Sequence, residues 1–141
     1  MRSGETTVKR DTAKVKEETA ALLGEHKIIE LMRKYFEPMP DIVVPFGDDL
    51  SALPIPAEGQ VAALKTDMLV AKTDVPPDMN LWQAARKAIV MNISDFAAKG
   101  IQPLAALVAL GIPKNLTQSE LEDIAKGLNA GARQYGAYVV G

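Results

Sequence analysis

From Asn80 to Val140 two helix-length amphipathic stretches alternate with two short apolar runs, and that order leaves few folds open. Leu81, Ala85, Ala88, Ile89 and Phe96 make a wide apolar stripe in a helix predicted from Leu81 to about Lys99. Asn80 is placed to cap its first turn and Gly100 follows its end. Leu104 to Leu110 is a nearly continuous apolar run, the pattern of a strand buried on both faces. Thr117 and Glu120 have capping-box spacing at the head of a second helix, Gln118 to Tyr135, which stops at Gly136. Ala137 to Val140 opens another strand. Helices that follow strands in this order pack on a sheet to bury their apolar stripes, so an α/β (α+β) layered domain is predicted.

The first half carries the same alternation more weakly. Residues 1–22 are polar and charged and are expected to form a flexible arm, with helix tending to start between Glu17 and Leu23. The folded domain is expected over residues 23–141. Ile28, Ile29, Leu31, Met32 and Phe36 repeat at helical spacing until Pro38 and Pro40. Ile42 to Val44 and Val61 to Thr66 read as strands, with Met68 to Val70 prolonging the second. A rigid polar loop spans residues 72–79.

Several functions are excluded by what the chain lacks. Its 141 residues contain no cysteine, which removes disulfides, thiolate metal sites and a cysteine nucleophile. Sixteen basic against eighteen acidic residues give a net charge of -2, with no basic stripe for nucleic acid. No apolar run reaches the roughly 18 residues of a membrane span, and the N-terminus has no hydrophobic signal core, so a cytoplasmic protein is expected. There is no phosphate-loop motif, dinucleotide fingerprint or serine elbow, and the single His26 sits at a helix start, where a surface or capping role is expected.

What remains for chemistry is a set of carboxylates at turns and strand ends: Asp48, Asp49, Asp67, Asp74 and Asp95. In open α/β sheets ligands bind beside the carboxyl ends of strands, and Asp49 and Asp67 follow two different strands. Magnesium takes hard oxygen donors and completes its octahedron with waters and phosphates, so separate aspartates suit a Mg–ATP site better than a calcium cage. Each position also has a plainer reading. Gly47-Asp48-Asp49 is ordinary turn chemistry, Asp67 could cap a turn, and Asp95 with Asn92 and Ser94 could belong to a structural hydrogen-bond network.

Gly47-Asp48-Asp49, Lys65-Thr66-Asp67-Met68-Leu69-Val70 and Met91-Asn92-Ile93-Ser94-Asp95-Phe96-Ala97-Ala98-Lys99-Gly100 together resemble the thiamine-monophosphate kinase family. Its wider superfamily includes aminoimidazole ribonucleotide synthetase, selenophosphate synthetase and a hydrogenase maturation factor. The resemblance spans roughly residues 22–141, and the Asn-x-Ser-Asp-x-Ala-Ala-x-Gly string is its most specific part. The Thr73-Asp74-Val75-Pro76-Pro77 version of the polar loop looks like an archaeal branch.

The resemblance implies an amino-terminal domain whose sheet pairs with that of a second copy, building a barrel across a homodimer. It implies ATP and Mg2+ in a cleft, and transfer of the terminal phosphate of ATP to thiamine monophosphate, giving thiamine diphosphate. Carried over residue by residue, Asp49, Thr66, Asp67 and Asp95 would be magnesium ligands. Asp74 stands where many members have a substrate-contacting histidine, a departure that touches substrate binding. Lys65 stands where some members have Ser or Thr, and no role is carried to it. Gly141 would begin a Gly-Gly-Asp-Thr phosphate-binding motif. The apolar ending at Tyr138-Val139-Val140-Gly141 fits a chain holding only the amino-terminal half, the carboxy-terminal domain absent, with little or no kinase activity by itself. Two other readings stay open: a sister enzyme such as aminoimidazole ribonucleotide synthetase or the hydrogenase maturation factor, and a non-catalytic dimerising fragment.

Overall fold

Two helices packed face to face, with a short parallel sheet beside them, make the centre of the protein. The computed structural model describes residues 17–46, 52–53 and 62–141. Helices α1 (Ala20–Arg33), α2 (Ala71–Asp74) and α3 (Leu81–Ala97) precede strand β1 (Ala105–Ala106), helix α4 (Gln118–Arg133) and strand β2 (Tyr138–Val139).

Helix α3 starts where Asn80 and Gln83 cap each other: the Gln83 N–H donates to Asn80 Oδ1 at 2.8 Å, and the Asn80 N–H to Gln83 Oε1 at 3.0 Å. Its buried residues Ala85, Ile89 and Ile93 recur every fourth position and so fall in one stripe. Helix α4 answers with buried Leu121, Ala125, Leu128 and Ala132. Leu121 and Leu128 are the largest fully buried side chains among the described residues. Helix α1 adds Ile28, Leu31 and Met32 to this core, while Ile29 is exposed, and β2 adds Val139. Gly100 and Gly136 have φ of +67° and +77°, the left-handed backbone that lets each long helix turn back toward a strand.

The start of α4 holds the residues before α1. Thr117 and Glu120 form the predicted capping box. Glu17 Oε1 then accepts from the Ser119 N–H at 2.6 Å, the Glu18 carbonyl accepts from Gln118 N–H, and Thr19 forms an antiparallel bridge with Thr117. These partners take up N–H groups that a helix start leaves free. Helix α1 therefore begins at Ala20, with a kink at Gly24, and Ala20 is buried. His26 lies exposed on α1.

Strands β1 and β2 pair in parallel, Ala105 with Tyr138 and Ala106 with Val139, and α4 is the crossover between them. Backbone bonds extend the pairing: Tyr138 N–H to Leu104, Val140 N–H to Ala106 and Val108 N–H to the Gly141 carbonyl. The mixed helix and sheet agrees with an α/β class. The strands, however, are shorter than expected. Leu104–Leu110 is not buried on both faces: Ala106 and Val108 pack against the core, while Leu104, Leu107 and Leu110 are 50%, 72% and 43% exposed. Ile42–Val44 makes only an isolated bridge, Val44 with Ala52. Residues 62–70 carry no strand, and most of them are exposed.

Candidate functional site

Lys65 and Asp67 lie two apart in the irregular segment before α2, and their side chains meet in an ion pair. Asp95 comes from the last turn of α3. The three meet: Lys65 Nζ is 2.9 Å from Asp95 Oδ2 and 3.5 Å from Asp67 Oδ2. The other oxygen of Asp67, Oδ1, accepts from the Met68 N–H at 2.8 Å, and this bond orients the carboxylate. The hydrogen bond to Asp95, helped by the charges of both carboxylates, holds the Lys65 pKa above its ordinary value.

Of the residues expected at the site, the structure thus brings Asp67 and Asp95 onto one cation position. Thr66 lies exposed between Lys65 and Asp67. Asp49 lies outside the described residues, as do Gly47 and Asp48. Asp74 ends the short helix α2, and its Oδ2 accepts from the Val70 N–H at 2.7 Å. Its backbone carbonyl accepts from Lys87 Nζ. Gly141 continues the parallel pairing through its carbonyl. Among the described residues no hydrogen bond or ion pair joins Asp74 or Gly141 to the Lys65 cluster. Lys65 itself is the residue that sequence reasoning left without a role, and its two-residue spacing from Asp67 was the available signal.

Asp67 and Asp95 offer hard carboxylate oxygens, the donor type that magnesium takes. Among the described residues no group of three or more His, Asp or Glu side chains closes around a point. Two carboxylates aimed at one cation are nevertheless what Mg2+ uses when waters and substrate oxygens supply the rest. Asn92, three residues before Asp95, is a structural residue: its Nδ2 donates to the Ala88 carbonyl at 2.9 Å within the same helix. Its buried Oδ1 has no partner among the described residues. A separate open groove along α3 is lined by Pro76, Trp82, Arg86, Lys87, Met91 and Ser94 and includes neither carboxylate of the pair.

Comparison with known proteins identifies the domain. The family described as "AIR synthase related protein, N-terminal domain" matches residues 47–141. The chain is 36% identical over 118 residues to thiamine-monophosphate kinase of Pyrococcus abyssi, covering 84% of this chain and 36% of that protein. It is 48% identical over 75 residues to thiamine-monophosphate kinase of Pyrococcus horikoshii, covering 53% of this chain and 24% of that one. With that of Nitrosopumilus maritimus it shares 42% over 77 residues, covering 55% and 25%. The chain spans about a quarter to a third of the length of these relatives. A match over residues 47–141 takes in both long helices, the parallel strands and the paired carboxylates, and on that ground the chain belongs to the AIR synthase related family, whose N-terminal domain it carries.

Proposed function

We propose that the chain is the ATP- and magnesium-binding part of a thiamine-monophosphate kinase. The reaction moves the terminal phosphoryl group of ATP onto the phosphate of thiamine monophosphate, giving thiamine diphosphate and ADP. The observation that carries this reading is the convergence of Asp67 and Asp95 on one cation position. The names of the curated relatives support it and favour it over aminoimidazole ribonucleotide synthetase, which shares the domain.

Asp67 and Asp95, with Asp49 and Thr66, would hold the magnesium, which when bound offsets charge on the phosphate oxygens. The chain's own residues otherwise act by position. Asp67 keeps Oδ2 directed to the cation because Oδ1 is held by the Met68 amide. Asp95 is carried on a helix locked against α4, so its carboxylate has a rigid base. Gly141, at the end of a paired strand, would offer its backbone to nucleotide phosphates. Asp74 would meet the thiamine substrate through Oδ1, the oxygen its loop does not use.

A cytoplasmic homodimer is part of the same reading. Leu104, Leu107 and Leu110 present apolar surface beside the short sheet, and such surface is usually covered by a partner. No described helix is long and apolar enough to cross a membrane. A strict monomer in size-exclusion chromatography with light scattering would count against the dimer.

The test is calorimetry of a non-hydrolysable ATP analogue with and without Mg2+, on the native chain and on Asp67→Ala and Asp95→Ala variants. Binding that needs both magnesium and these carboxylates supports the proposal. Magnesium-dependent binding that is unchanged in each of the two variants overturns it.

A further inference from the structure

We propose that Lys65 is an exchangeable internal counter-ion: its ammonium group holds Asp67 and Asp95 together and leaves them when a divalent cation binds. The inference rests on the magnesium reading of this carboxylate pair and adds to it a role for a residue that is not itself a ligand.

A single Nζ atom serves Oδ2 of Asp95 at 2.9 Å and Oδ2 of Asp67 at 3.5 Å. Two carboxylates so close to one point repel each other unless a cation lies between them. Asp67 cannot simply turn its charge away, because its Oδ1 is engaged by the Met68 amide. Lys65 therefore supplies, from within the chain, the positive charge that the pair requires.

The same geometry makes the ammonium replaceable. The side chains of Lys65, Asp67 and Asp95 are 29%, 44% and 59% exposed, so the ion pairs are screened by water and contribute little. A divalent ion brings twice the charge to the same oxygens, and the two cations repel each other. The flexible four-carbon stem of lysine lets the ammonium swing into solvent while keeping its proton. Lys65 is thus a positioning residue that balances the charge of the pair when no metal is present and sets how much metal is needed to claim it.

The experiment combines metal binding with site-resolved lysine labelling on the full chain. Mn2+ binding is followed by electron paramagnetic resonance, and acetylation of each lysine by mass spectrometry. With Mn2+ bound, Lys65 should become several-fold more reactive while Lys72 and Lys126 stay unchanged. Lys65→Met should bind Mn2+ about two- to fivefold more tightly than the native chain, the range expected for removing an exposed competing ion pair. Lys65→Arg, which keeps a cation in place, should bind no more tightly than native. Mn2+ binding with unchanged Lys65 labelling, or with no gain in Lys65→Met, overturns the exchange proposal alone. Absence of Mn2+ binding in both native and Lys65→Met chains overturns the metal reading, and the exchange proposal with it.

Discussion

Gly127 of α4 lies directly against the backbone carbonyl of Trp82 in α3, with no room between them for a side chain. A methyl group at Gly127 would overlap that carbonyl oxygen and lie 2.9 Å from the Ala85 Cβ. Backbone cannot move aside as a flexible side chain can, so Gly127→Ala forces the two helices apart. Overpacking costs about 1–3 kcal/mol, and the better helix propensity of alanine returns only about 0.5–1 kcal/mol. A net loss of roughly 1–2 kcal/mol is expected in denaturant unfolding. Gly111→Ala, where nothing lies within 4 Å of the new methyl, should change stability by less than about 0.5 kcal/mol.

The two capping boxes should respond differently to removal. Asn80→Ala frees one N–H at the exposed start of α3 and should cost about 1 kcal/mol. Thr117→Ala removes the acceptor for Glu120 N–H at a helix start that also receives Glu17 and Glu18. Its loss should therefore loosen the first turn of α1 as well. Amide exchange at Ala20 and Ala21, whose N–H groups donate to Leu116 and Lys114, should rise in Thr117→Ala and stay unchanged in Asn80→Ala.

Tyr35 and Glu122 predict a pH profile. The nearby Tyr35 hydroxyl holds the Glu122 carboxyl below its ordinary value, with help from Gln118 and Lys126. In return Glu122 holds the Tyr35 pKa above its ordinary value. A depressed carboxyl contributes stability that is present above its unfolded pKa and is lost as pH falls through the folded one. A raised tyrosine contributes stability that is present below its unfolded pKa and is lost as pH rises through the folded one. The stability difference between the native chain and Tyr35→Phe should be flat from about pH 5 to about pH 9 and shrink on both sides. A difference independent of pH from 3 to 11 would show that the two groups do not interact.

Asp74 is a brace in the structure, its Oδ2 closing the turn onto the Val70 N–H at 2.7 Å. Asp74→Asn keeps an acceptor there, while Asp74→Ala leaves the amide without one. Val70 amide exchange should speed up in the alanine variant and change little in the asparagine variant. Equal protection in all three chains would mean that the turn does not depend on this bond.

Local pattern was enough to define the helical half of the protein. The stripe through Ala85 and Ile89, the Thr117–Glu120 box, the Asn80 cap and the terminating Gly100 and Gly136 all act within a turn or two of the chain; Phe96, expected in that stripe, stays outside the core. Their physics is therefore written in short spacings. Gln83, the reciprocal partner of Asn80, stands at the same three-residue spacing. The apolar run Leu104–Leu110 showed that a strand was due but not which side would be covered. Continuous hydrophobicity has no period from which to read a face.

The sequence by itself determined two long amphipathic helices, their ends, and the hard-oxygen chemistry of aspartates at positions such as 67 and 95. Tertiary structure alone decided that Asp67 and Asp95, on the segment before α2 and on the last turn of α3, would share the Lys65 ammonium, while Asp74 would bond to its own loop. Periodicity places a side chain on a face of its own element. The meeting of charges from two distant elements depends on how α3, locked by its stripe against α4, is set relative to residues 62–70, and no local spacing encodes that relation.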